Sequence, residues 1–110
     1  MQIRFLPDAE AELAAARVWY ALQREGLNEA LTQRVDETLQ RIVAAPHLYP
    51  LVYRQLRRAV IRQFPFAIFY EPTADEIIVF AVYHSSRDPN RLKSRTIASH
   101  KKAQEAQNDF

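Results

Sequence analysis

The residues best equipped for chemistry lie together in "AVYHSSRDPNRLKSR" (81–95), where His84 is followed by two serines and by Arg87, Arg91 and Arg95. An imidazole beside guanidiniums suits metal-free cleavage of RNA, in which the 2′-hydroxyl attacks the adjacent phosphate. That reaction needs a base, an acid and a cation for the phosphorane charge. Arg58 and Arg62 of "RRAVIRQ" (57–63) could supply further cations, because residues four apart in a strand share a face and form a two-arginine ridge. His84, Arg58 and Arg62 are therefore the catalytic candidates. They qualify only if the cations and His84 converge on one concave surface.

Competing readings of His84 weigh against a catalyst. His47 and His100 are remote in sequence, and no HExxH-type spacing is present, so a metal site is not indicated and no cofactor is expected. Ser85 and Ser86 lie beside His84, but chain adjacency does not orient a serine nucleophile or build an oxyanion hole. No G-x-S-x-G elbow exists, and a single glycine leaves no phosphate-cradling loop. A lone histidine where a strand ends is more often a structural hydrogen-bonder than an acid or base.

The elements that must position these residues belong to one domain of 110 residues. With 48% hydrophobic and 25% charged residues, it reads as a soluble globular chain. The lack of cysteine removes disulfides and thiol chemistry, and fits a reducing cytoplasm. "MQIRFLPDAEAEL" lacks the basic and apolar regions of a signal peptide, and no apolar run approaches the ~20 residues of a membrane span. A cytoplasmic location without membrane contact is expected. Charge is uneven: residues 1–50 carry five Arg/Lys against seven Asp/Glu, whereas 51–110 carry ten against six. A basic half of this kind suits nucleic acid or an acidic protein partner.

Periodicity supplies the order of elements. "QIRFL" (2–6) alternates, with Ile3 and Phe5 on one side. A helix begins at Pro7 or Asp8 and carries Ala9, Leu13, Ala16 and Tyr20 on one face through about Arg24. Gly26 is placed for a left-handed C-cap. A second stripe, Leu27, Leu31, Val35, Leu39, Ile42 and Val43, defines a second helix that must stop by Ala45, ahead of Pro46. "RRAVIRQ", "FPFAIFYE" and "DEIIVFAVYH" then read as three successive antiparallel strands, the last two joined by "PTAD" and covered on one face by the helices. Phe69 and Phe80 are core by default, whereas Trp19 sits at the edge of its helical stripe. The fold class is α+β, β-α-α-β-β-β, with the N-terminal strand and helix hairpin packed on a mainly antiparallel sheet. The domain spans 1–95, and 96–110 is a tail that either forms a marginal helix or frays.

"AEAELAAARVWY", "LTQRVDETLQRIVAAPHLYP", "RRAVIRQFPFAIFYE" and "IIVFAVYHSSRDPNRLKSR", in that order, resemble the ParE branch of the RelE/ParE superfamily, the toxins of type II toxin–antitoxin modules. The resemblance runs from about Ile3 to Arg95 and implies the same order of elements. It also implies a small antitoxin that wraps and masks the toxin, in a hetero-oligomer or alongside a homodimer. ParE-like members block DNA gyrase without a known hydrolytic site, whereas RelE-like members enter the ribosome and cleave mRNA. The nucleases carry a basic residue where Pro65 or Phe66 stands here, and many carry a tyrosine where Ser85 stands. The resemblance therefore implies a plasmid-stabilisation-type toxin that binds gyrase, and the glycine-poor scaffold that presents arginines makes Arg58, Arg62, Arg87, Arg91 and Arg95 the expected target contacts. Trp19 and Tyr53 are the candidate antitoxin contacts, and a ribosome-dependent mRNA endoribonuclease is the alternative.

Overall fold

A computed structural model describes residues 1–96. Strand β1 (Gln2–Phe5) leads into helix α1 (Pro7–Gln23) and helix α2 (Leu27–Ala44), followed by β2 (Leu51–Tyr53), β3 (Leu56–Val60), β4 (Phe66–Pro72) and β5 (Glu76–His84). The five strands form one sheet in the order β1-β5-β4-β3-β2. Every pairing is antiparallel except β1 with β5, which is parallel because the chain crosses over through the helix hairpin to reach the far strand. No helix among the described residues is long and apolar enough to cross a membrane.

Proline stands at the first position of α1, where its missing N–H is not needed, and Asp8 and Glu10 occupy the positive first turn. Gly26 is left-handed (φ 90°) as expected, but it caps the start of α2; the C-cap of α1 is Arg24 in extended geometry. With no other glycine to spend, the chain also places Arg54 and Gln63 at positive φ, at the two turns flanking β3. The α2 stripe buries Leu31, Val35 and Ile42 in one cluster with Ile68, Tyr70, Ile77, Val79 and Val82 of the sheet and Ile61 just beyond β3, with Ala9 and Ala16 of α1 completing the layer. Each fully buried Leu or Ile contributes about 1.5–3 kcal/mol to holding the hairpin there.

Three features differ from the periodicity. Leu51–Tyr53 forms an additional short strand, paired to β3 at the sheet edge, where three strands were expected after the helices. Between Pro50 and the turn at Arg54 there is room for only three residues, too few to show alternation. β3 ends at Val60, so Arg62 lies in the following turn and no Arg58–Arg62 ridge forms along the strand. Most consequential, the sheet buries both faces. Leu56, Ala67, Phe69, Phe80, Ala81 and Tyr83 pack on the face away from the helices, together with Leu92. Phe69 and Phe80 are core, but of this second layer.

The second layer depends on a register shift. Phe69 and Tyr70 of β4 lie opposite Ala81 and Val79 of β5, leaving Phe80 as an extra residue. The bulge resets the alternation. Val79 and Val82 face the helices, while Phe80, Ala81 and Tyr83 all join the opposite layer. Beyond β5, Pro89–Arg91 forms a 3-10 turn and residues 92–96 are helical. Leu92 and Thr96 are buried there, and the Thr96 hydroxyl donates to the Leu92 carbonyl at 3.0 Å. The rest of the expected tail, residues 97–110, lies outside the described residues.

Candidate functional site

On the face of the sheet opposite the helices, a groove of about 280 Å³ lies between β3 and the chain leaving β5. Its floor is mainly apolar, and its polar side chains come from Arg58, Tyr83, His84, Ser85 and Arg87. Arg58 and Val60 reach it because they alternate with Ala59, which faces the helices. The catalytic candidates thus converge only in part. Arg58 and His84 share the groove with Arg87, whereas Arg62 is exposed in its turn and does not line it.

His84 sits opposite Phe66 in the sheet, its ring edge-on to that phenyl at 5.2 Å. Its Nδ1 accepts the backbone N–H of Ser86 at 3.0 Å and lies 2.8 Å from the Ser86 hydroxyl. The chain then turns tightly, since Arg87 N–H donates to the His84 carbonyl and Ser85 N–H to the Pro65 carbonyl. The histidine therefore closes a local turn, with an Nδ1 that accepts and an Nε2 that carries the proton in the neutral ring.

The arginines differ sharply in what holds them. Arg58 is exposed, and its guanidinium has no hydrogen-bond or ion-pair partner among the described residues. Arg87 donates to Glu12 at 3.1 Å and stacks over the ring of Tyr83 at 4.2 Å, so it is exposed yet fixed in direction. Arg95 is committed internally. Its Nη1 and Nη2 donate to the two Glu12 oxygens at 3.1 and 2.8 Å, Nη1 also donates to the Phe80 carbonyl, and Nε lies 3.4 Å from Asp8. The Glu12 hydrogen bonds hold the Arg95 guanidinium above its ordinary basicity, outweighing the opposing effect of burial. Arg91 is exposed at the end of the 3-10 turn.

Sequence reasoning missed Glu12, to which no local pattern assigns a role. Its Oε1 also accepts the Val82 N–H at 3.1 Å, so one carboxylate joins α1, the bulged part of β5 and the segment after it. The partners lie 70 to 83 residues away, beyond any local pattern.

Trp19 and Tyr53 lie at different places. Trp19 is 55% exposed on α1, edge-on to Tyr20 at 4.9 Å, with Val18 and Leu22 exposed beside it. Tyr53 is half-buried at the end of β2, with Arg54 and Lys93 over its ring at 5.3 and 5.4 Å. Among the described residues no three His, Asp or Glu side chains gather as metal ligands would.

Residues 3–89 match the family model described as the ParE toxin of the type II toxin–antitoxin system, parDE. Arg58, His84 and Arg87 fall inside that span, while Arg91 and Arg95 lie beyond it. A solved structure titled "Chromosomal ParDE TA system from P. aeruginosa" superposes with a TM-score of 0.62 at 19% identity, covering 76% of this chain and 95% of that one. At that identity the likeness is one of fold. No curated protein matches the chain.

Proposed function

Because this chain belongs to the ParE toxin family of type II toxin–antitoxin systems, we propose that it inhibits DNA gyrase by protein–protein binding in the cytoplasm and is neutralised by a cognate antitoxin. The observation that carries the non-enzymatic reading is the state of His84. Its Nδ1 is occupied by the Ser86 amide, and among the described residues the charged groups lining the groove are guanidiniums. Arginine stays protonated at physiological pH and makes a poor general acid or base, and Tyr83, the other ionisable lining residue described, is buried beneath Arg87 and Arg95, so the groove offers cations for binding ahead of a second proton-transfer group.

Target contact is assigned to Arg58 and Arg87 in the groove and to Arg62 and Arg91 on the exposed surface around it. Arg95 contributes by fixing the segment that carries Arg87 and Arg91. Antitoxin contact is assigned to Trp19, whose exposed indole and apolar neighbours form a patch on the helix hairpin, and to Tyr53 near the sheet edge. The basic second half of the chain favours an acidic antitoxin segment.

One observation favours the alternative of a ribosome-dependent mRNA endoribonuclease: Arg58, His84 and Arg87 do meet on one concave surface. The purified protein is added in parallel to a gyrase supercoiling reaction and to translating ribosomes. The expected result is loss of supercoiling with intact mRNA, retained though weakened in His84→Ala, which loosens the turn that aims Arg87. Ribosome-dependent mRNA cleavage abolished by His84→Ala would overturn the proposal.

A further inference from the structure

We infer that the groove between β3 and the β5 exit seats a short acidic and aliphatic segment of the target protein, with its carboxylates on Arg58 and Arg87 and an aliphatic side chain against Val52 and Val60. The inference rests on the target-binding reading above and names the chemistry that the site selects. Charge is the first argument. Among the described residues the groove is lined by Arg58, Arg87, His84 and the buried Tyr83 as its ionisable groups, and by no carboxylate. Arg87 is prepared for a carboxylate: stacking on Tyr83 and one bond to Glu12 fix the guanidinium plane while other N–H donors of the fork remain. Little rotamer freedom is left for a ligand to remove. Arg58, unpaired among the described residues, supplies the second anchor.

The apolar part of the groove decides between a peptide and a nucleic acid. Single strands bind by laying bases on open aromatic faces. Here Tyr83 and Phe69 are 2% and 4% exposed, and Arg87 and Arg95 already lie over Tyr83. Phe66 is packed edge-on against Tyr20 and His84. What the groove leaves open is mainly aliphatic instead: Val60 is 60% and Val52 43% exposed. Branched aliphatic surface flanked by guanidiniums is matched by Leu or Ile set among Asp and Glu, and poorly by a base with its phosphate.

The test uses the full chain, labelled with nitrogen-15 and titrated with the peptide acetyl-Asp-Leu-Glu-Leu-Asp-amide and, separately, with an oligouridylate. The expected result is saturable amide shifts at Val52, Arg58, Val60, His84 and Arg87 with the peptide, weakened by salt. Affinity should fall about tenfold in Arg58→Glu and in Val60→Asp, with folded spectra, and hold in the control Arg24→Glu. Silence at these amides, an unchanged affinity in Arg58→Glu, or tighter binding of the oligouridylate at the same amides would overturn the inference. The chain has no cysteine, so Val60→Cys carrying a photo-crosslinker can report the source of the segment in the complex with gyrase. Crosslinks should map to one acidic, aliphatic stretch of gyrase. Inhibition of gyrase with crosslinks elsewhere, or capture of the antitoxin alone, overturns this inference and leaves the gyrase reading standing. Peptide binding in the groove with supercoiling unaffected overturns the gyrase reading and leaves the chemistry of the groove standing.

Discussion

Replacing Glu12 by glutamine should be among the most damaging isosteric changes in the protein. The Glu12 carboxylate accepts four hydrogen bonds, one from Val82 N–H, one from Arg87 and two from Arg95. The three contributions are not equal. The Arg87 side chain is 39% exposed, so its pair is worth no more than ~1 kcal/mol after screening. Arg95 is 19% exposed against a Glu12 that is 13% exposed, and its remaining anionic neighbour, Asp8, is 69% exposed. Glutamine retains one acceptor oxygen but turns N–H groups toward a guanidinium and leaves that charge partly desolvated. Breaking such a pair costs on the order of 2–4 kcal/mol, a large share of the ~5–15 kcal/mol that stabilises a domain. In a domain of this size Tm should drop by roughly 10 °C by calorimetry. Amide protection over residues 92–96 should fall before that of the sheet, because Arg95 ties that segment down. Methionine at Arg95 removes the orphaned charge, so the double variant Glu12→Gln/Arg95→Met should lie closer to wild type than the two single costs added together, by about 1–3 kcal/mol. A Glu12→Gln protein within ~0.5 kcal/mol of wild type, or strictly additive costs, would refute the claim that this carboxylate organises the exit from β5.

Three further outcomes follow from single sites. Burial pushes the Tyr70 hydroxyl up to about 12, with the nearby Arg57 charge working the other way, and that hydroxyl donates to the Pro46 carbonyl at 2.7 Å. The unfolded chain ionises near pH 10 while the fold holds the proton, so roughly 2–3 kcal/mol present below pH 10 is lost between pH 10 and 12; urea midpoints of Tyr70→Phe should fall less steeply over that range. Gly26→Ala meets no atom within 4 Å, yet holds a side chain at φ 90°, so denaturant unfolding should show a loss of about 1–2 kcal/mol from backbone strain alone. Trp19→Ala should change stability by under ~0.5 kcal/mol while weakening cognate antitoxin about tenfold by calorimetric titration; unchanged affinity would remove Trp19 from that interface.

The helix hairpin was legible because each helix buries a single stripe. Ala9, Leu13, Ala16 and Tyr20 on one, and Leu31, Val35 and Ile42 on the other, sit where a 3.6-residue period puts them. The groove was not legible, for a different reason. "IIVFAVYH" is apolar throughout, so alternation carries no phase and cannot reveal that Phe80 is an extra residue. Arg62 was misplaced by assuming that β3 outlasts Val60, when the positive φ of Gln63 turns the chain there. Glu12 was invisible because no short-range pattern links a residue on α1 to donors 70 or more positions away.

The bulge at Phe80 connects these failures. Without the extra residue, strict alternation from Ile77 and Val79 would send Ala81 and Tyr83 to the helix layer and Val82 away from it. Tyr83 instead faces the second layer, where Arg87 and Arg95 lie over its ring. Val82 falls in phase with the helices, and its N–H, beside the disturbed pairing, is taken by Glu12. The same carboxylate then holds both arginines. The direction of the chain after His84, and with it the rim of the groove, thus rests on one extra residue in a strand and one carboxylate on the first helix. His84, the most conspicuous residue in the sequence, stands at the end of that arrangement as the turn through which it reaches Arg87.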